Sequence, residues 1–247
     1  MKIIISPAKK MIDTSDEFTP STSPLFLSEA KELHHYMKSC SKSELKKILK
    51  CNDQLVSLNH ERFHTNKIDE ANMMALVTYQ GLQYQTMAPH IFTDEEWNYV
   101  NENLIILSGL YGMLRPMDSV VQYRLEMQAK INHKKHKTLY EFWGTKIASQ
   151  LDNEKDFILN LASKEYSDVV EKHLQTKMIT CVFGEFKDNK VIVKGTLAKM
   201  ARGAMVRYLA TNNIRTTMGI KQFSENGFKF SEELSNEYEF VFIKDKN

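Results

Sequence analysis

A mixed α/β fold, one sheet flanked by helices, is what this sequence predicts, and three observations predict it. Strand-like and helix-like patterns interleave without a strict strand–helix alternation, which favours a mixed sheet over a regular parallel barrel. Three helix starts carry a hydroxyl cap with a glutamate three residues on: Ser41 with Glu44, Thr93 with Glu96, and Thr138 with Glu141. No repeat, low-complexity tract or long linker interrupts the 247 residues, so a single domain over 1–247 is expected.

Taken in order, Lys2 to Ile5 reads as a buried strand. It opens into an irregular stretch, Ser6 to Pro24, with three prolines. A long loop after a strand often carries function, and it equally reads as a plain surface crossover. The patterns predict helices near 28–38, 42–51, 53–63, 94–102, 139–152 and 196–212. Strands are expected at 75–79, 104–107, 157–161, 178–186, 190–194 and 238–243. Phe186 to Val191 reads as a hairpin because Asp188-Asn189 tolerates positive φ, and Asn226-Gly227 is a second turn.

Composition excludes several classes. Lys and Arg number 33 against 31 Asp and Glu, a net charge of +2. The molecule therefore has no strong overall field for nucleic acid, and anion binding must come from a local cluster. Cys40, Cys51 and Cys181 are few, odd in number and scattered, which fits a reducing compartment. The first apolar run is three residues long, too short for a secretory signal, and no window approaches a membrane span. The expectation is a cytoplasmic protein with no membrane contact. His60 and His64 lack the His-Glu-x-x-His order, and the other histidines considered lie in polar surroundings without a nearby thiolate. No metal and no cofactor are expected.

Anion chemistry concentrates in two places. In the helix near 196–212, Leu197, Met200, Ala201, Ala204, Met205 and Tyr208 form an apolar stripe. Lys199 and Arg202 share a different, solvated face, and Arg207 lies to the side. With Lys187, Lys190 and Lys194 upstream, this is the densest basic region of the chain, suited to phosphate. It also reads as an ordinary solvated face. The second place is Asn160 to Tyr166, where a strand end leads to a helix that Ser163 is placed to cap; Asn160 and Ser163 there offer contacts to an anion.

Three other segments read both ways. Ser108 to Gly112 is a glycine-bearing turn after a strand, neither a dinucleotide fingerprint nor a phosphate loop. Arg124 and Glu126 form either a structural ion pair or an acid/base unit. Two short helices over 43–63 form a plain corner or a nucleic-acid contact, without the glycine usual in such a hairpin.

Together these motifs resemble the YaaA family of peroxide stress proteins (UPF0246, DUF328), essentially end to end. The resemblance rests on Ser6-Pro7-Ala8-Lys9, on Leu58-Asn59 through Arg62-Phe63, and on Leu107-Ser108-Gly109-Leu110-Tyr111-Gly112 through Arg115-Pro116. It continues with Tyr123-Arg124-Leu125-Glu126-Met127, Phe142-Trp143-Gly144, Asn160-Leu161-Ala162-Ser163 with Glu165-Tyr166, and Ala198-Lys199 with Ala201-Arg202-Gly203. Two positions depart from the pattern. Gly81-Leu82-Gln83-Tyr84 stands where Gly-Asp-Val-Tyr is common, and Lys199-Met200 replaces a lysine pair.

What the resemblance implies is a single domain with a positively charged cleft, protection against peroxide and limitation of free iron. It also implies DNA binding through the cleft and through a helix-hairpin-helix element at 43–63. Lys9, Arg124, Asn160, Lys199 and Arg202 become the cleft residues by position. Two functions are carried forward: a DNA-binding stress protein, and an enzyme acting on a nucleotide, nucleobase or related small anionic ligand. For the second, Lys9, Asn160, Tyr166, Lys199 and Arg202 are expected to converge. Lys9 would then act as a neutral base or nucleophile, with Glu126 as proton partner.

Overall fold

The computed structural model describes residues 1–152 and 156–245. From the N-terminus come β1 (Lys2–Ile5), β2 (Lys10–Met11), α1 (Leu27–Ser39), α2 (Lys42–Leu49) and α3 (Asp53–Thr65). Then β3 (Met73–Met74), the single turn α4 (Ala75–Thr78), β4 (Tyr79–Gln80), α5 (Leu82–Met87) and α6 (Asp94–Asn103) lead to β5 (Leu104–Ser108) and β6 (Gly112–Leu114). β7 (Ser119–Val120), β8 (Lys130–His133), β9 (His136–Thr138), α7 (Leu139–Trp143) and α8 (Lys146–Leu151) precede β10 (Ile158–Leu161) and α9 (Lys164–Glu171). The remainder is β11 (Met178–Lys187), β12 (Lys190–Ile192), α10 (Gly195–Thr211), α11 (Thr217–Lys221), β13 (Phe228–Phe230) and β14 (Glu239–Lys244).

The main sheet runs β13-β14-β11-β10-β1-β5-β6, with β12 added to β11. Its five middle strands are parallel, while β6, β12 and β13 pair antiparallel. Ile3, Ile4 and Ile5 are all fully buried, as a strand covered on both faces requires. From β1 the chain builds β5 on one side and later β10, β11 and β14 on the other. The order therefore reverses between β1 and β10, and ligands of open parallel sheets bind outside the strand ends at such a point.

The capping boxes at Ser41/Glu44 and Thr93/Glu96 are both complete. At Thr138 only half forms, because Glu141 accepts from the Lys137 N–H instead. The Asp188-Asn189 hairpin forms as expected, both residues at positive φ.

Two expectations are corrected. The strand expected at 75–79 is instead the turn α4 between two short strands. Every residue from Met73 to Tyr79 is buried, so its apolar run carries no period. The Ala75 and Leu76 N–H groups donate to Asp118 and Pro116 carbonyls, and the Thr78 hydroxyl bonds back to Met74. The helix expected over 139–152 is broken at Gly144, which adopts φ 47° and ψ −124°, a conformation other residues avoid. Among the described residues no helix is long and apolar enough to cross a membrane.

Candidate functional site

β1 and β10 lie side by side with Ile5 opposite Leu161, so both chains leave the sheet at one edge. There the Ser163 N–H donates to Ser6 Oγ (2.8 Å) and the Ser6 hydroxyl donates to Ser163 Oγ (3.2 Å). Ser163 thus makes no side-chain cap on α9; its hydroxyl is engaged with the first loop. Tyr84 OH donates to the Ser6 carbonyl at 2.9 Å, which ties α5 to the same loop. β2 pairs with β4, placing Lys10 across from Gln80.

The fourth wall is α10. A Cβ at Gly203 would lie 2.1 Å from the Gln83 carbonyl, so the glycine is what lets α10 reach the α5 backbone. Its neighbour Arg202 is carried to the same place.

These elements enclose a cavity of about 350 Å³. Lys9, Lys10, Lys199 and Arg202 line it against a single carboxylate, Glu165. Ser163 and the buried rings of Tyr84 and Tyr166 complete its wall. A more open groove of about 870 Å³ adjoins it past Asn160 and Cys181, and Arg202 lines both.

Arg202 corrects the sequence reading. It is half-buried, not on a solvated face, whereas Lys199 is exposed. Its Nε is buried with no hydrogen-bond partner, and among the described residues the guanidinium has no ion pair. Burial lowers its pKa. Two further buried atoms around the cavity lack partners, Gln80 Oε1 and Gln83 Nε2. Each such atom is a cost unless something meets it.

Arg124 and Lys9 converge on Glu126. Arg124 donates to Glu126 Oε1 through Nη2 (2.9 Å) and Nε (3.1 Å), and Lys9 Nζ stands 3.3 Å from the same oxygen. Glu126 and Arg124 are nearly buried, but the Lys9 side chain is 64% exposed. The Lys9 amine is thus solvated and paired with Glu126, and the desolvation that a nucleophilic amine requires is missing. Burial, with Glu126 close by, raises the Glu165 carboxyl above its ordinary value. Burial also pushes the Tyr166 phenol up, strengthened by Glu165.

Two expected contacts are engaged elsewhere. Asn160 faces the open groove, donating to Thr180 Oγ1 (3.2 Å) and accepting from the Ala162 N–H (2.9 Å). Arg207 donates to the Met87 and Ala88 carbonyls at the end of α5 and stacks over Phe92. Sequence reasoning missed Gln80, Gln83 and Glu165. Among the described residues no group of three or more His, Cys, Asp or Glu side chains is arranged to hold a metal.

A family model described as peroxide stress protein YaaA matches residues 1–234. The chain belongs to the YaaA family. It is 48% identical to a UPF0246 protein of Lachnoclostridium phytofermentans, covering 99% of this chain and 96% of that protein. UPF0246 proteins of Desulfitobacterium hafniense (46%, covering 99% and 98%) and Ligilactobacillus salivarius (45%, covering 99% and 100%) are similarly related.

In this YaaA-family chain several of the motifs bind one another. Tyr123 OH bonds both Tyr79 OH and Ser108 Oγ at 2.6 Å, and Ser108 Oγ accepts from the Tyr111 N–H. Trp143 Nε1 donates to the Gly109 carbonyl, and its ring lies against Gly112. A Cβ at Gly109 would meet the Leu125 carbonyl at 2.2 Å. The glycine-bearing turn is therefore a packing device.

Proposed function

We propose that this YaaA-family protein acts in the cytoplasm and binds DNA without strong sequence preference along the face that carries Arg202. In this reading it helps limit the oxidative damage that iron causes. The observation that carries it is Arg202 itself, a half-buried guanidinium whose Nε has no hydrogen-bond partner among the described residues, where two cavities meet. Such a group is costly alone and well suited to a phosphate oxygen.

The α2–α3 corner supports the same reading. The Cys51 thiol between these helices lies within electrostatic reach of Arg124 and Glu126, so the corner borders the Lys9 cluster. Lys42, Lys47 and Lys50 are exposed there. Lys50 adopts the left-handed conformation at the end of α2, the place where the hairpin's glycine was expected.

Titration of a labelled duplex at several salt concentrations tests this. Log affinity should fall linearly with log salt, roughly −0.9 per phosphate neutralised. Arg202→Glu should weaken binding to every sequence alike. Binding absent at low salt, or insensitive to salt, would remove the reading.

A second reading is favoured by the cavity's size. At about 350 Å³ it admits a small molecule and not a duplex roughly 20 Å across. A nucleotide, a nucleobase or a related anionic metabolite fits that space.

A further inference from the structure

α1 packs on α3, and the buried side chains of α1 recur at helical spacing: Ala30, Leu33, His34 and Met37. Three are apolar and the fourth is an imidazole. Sequence patterning places His34 in polar surroundings; in the fold it is 7% exposed, its ring edge-on to Phe63 of α3 with centroids 5.5 Å apart. His34 Nε2 is buried and has no hydrogen-bond partner among the described residues. A protonated imidazole donates from both nitrogens, so the cation would hold an N–H at Nε2 with nothing to accept it. Asn59 Oδ1, one turn before Phe63 on α3, is likewise buried without a partner, and no hydrogen bond joins the two.

The groups that act on the His34 ring are all bases: Lys38 and His35 from α1 and His64 from α3. His64 stacks on His60 with ring centroids 4.3 Å apart, and Lys42 of α2 acts on His60 in turn. No carboxylate is among them, so acid adds only positive charge to the seam. Burial first, then these neighbours, hold the His34 pKa below its ordinary 6.5.

What the seam supports is the α2–α3 corner. α3 rests along its length on α1 and α2. It is fastened at its far end, where Arg62 donates to Gln122 Oε1 (3.1 Å) and Asn66 Nδ2 to the Gln122 carbonyl (2.8 Å), two residues before Arg124.

We propose that the α1–α3 seam is an acid-sensitive latch, which protonation of His34 opens so that the α2–α3 corner loosens while the main sheet stays folded. The opened chain binds the His34 proton more tightly than the closed seam does. The stability of the seam is therefore complete above 6.5 and is lost as pH falls from 6.5 through the lowered native value. The inference stands apart from what the cavity binds.

Hydrogen exchange of the full chain, read by mass spectrometry at about pH 7.5 and 5.5 and normalised for the intrinsic rate, tests it. Protection over α1 to α3 should fall severalfold at the lower pH, up to about tenfold for one ring, because that pH lies about one unit below the ordinary value. β1 and β10 should keep their protection. His34→Phe retains a ring in the stripe and should abolish the fall. An equal fall in β1 and β10 would be global acid unfolding and would overturn the latch. So would unchanged protection across α1 to α3, or the same fall in His34→Phe.

A second measurement needs no variant. Ring-proton NMR of the wild type should give His34 a pKa below that of His90, which is exposed. A His34 value at or above that of His90 would mean that the cation is met inside the seam, and it too would overturn the proposal.

Discussion

Two regions of this molecule are built from motif residues of similar polarity, and they treat that polarity in opposite ways. Around Ser108, Tyr123 and Trp143, the polar atoms meet one another: the Tyr79–Tyr123–Ser108 chain, Tyr111 OH on the Val121 N–H, and the indole on Gly109. Around Gln80, Gln83 and Arg202, buried atoms are left without hydrogen-bond partners among the described residues. Both regions depend on a glycine pressed against backbone, Gly109 on Leu125 and Gly203 on Gln83. Glycine and motif density therefore do not separate scaffold from site. Polar satisfaction distinguishes the two regions, because a closed network stabilises the fold whereas each unpaired buried atom costs stability.

The sharpest way to break this contrast is in the closed region. Gly109→Ala puts a methyl 2.2 Å from a carbonyl oxygen of the chain that carries Arg124 and Glu126. That backbone has to move, and we expect a loss of about 3 kcal/mol or more by chemical denaturation. A smaller loss would mean that the region is less rigid than its contacts imply.

Tyr123→Phe leaves the Tyr79 hydroxyl without its partner and the Ser108 hydroxyl with only the Tyr111 N–H, and should cost about 1–3 kcal/mol with DNA binding unaffected. Arg202→Met should have the opposite sign. Removing an unpaired, half-buried charge should raise stability by about 1 kcal/mol, or ~2–4 °C in Tm, while anion binding falls. If Arg202→Met lowers Tm instead, the guanidinium belongs to the scaffold and the contrast fails.

The smallest effect concerns pH. Burial and the nearby Glu126 raise the Glu165 carboxyl above 4.5. The native state then holds that proton more tightly than the unfolded chain. The associated stability is complete below 4.5 and is lost as pH rises through the raised native value. Glu165→Gln mimics the protonated form. Its Tm should match wild type at the acid end and exceed it above the window; parallel Tm curves across that range would contradict the assignment. Anion affinity of the wild type should tighten in the same acid direction, since Glu165 is the one carboxylate lining the cavity.

What the sequence made legible follows from locality. The buried strand Lys2 to Ile5, the Asp188-Asn189 turn and the boxes at Ser41 and Thr93 depend on neighbours within a few residues, and all form. The mixed sheet followed from the same patterns. Residues 75–79 misled because a fully buried run has no period, and Thr78 settles on a carbonyl four residues back. At the site, Ser163, Tyr166, Lys199 and Arg202 followed from a strand end and a basic helix and Lys9 from the family resemblance, and all five line one cavity. Arg207, read as lying to the side of Lys199 and Arg202 and counted with them as an anion contact, is occupied by carbonyls that lie 120 and 119 residues earlier in the chain. Gln80 and Gln83 acquire their meaning from α10, which is equally distant in sequence.

The Ser6–Ser163 hydrogen bonds join residues 157 positions apart, and this sets a schedule for the molecule's birth. β1 leaves the ribosome well before its neighbour β10, which follows it by some 157 positions. At bacterial elongation speeds of ~5–20 residues per second, the three isoleucines of β1 wait about 10–30 s for that neighbour. Until β5 is made β1 has no partner strand, and from then until β10 arrives one edge of β1 stays open, a natural client for a chaperone. An incomplete polypeptide released before β10 therefore carries the first loop without the edge that receives it, and the cavity comes into being only once α10 has been made.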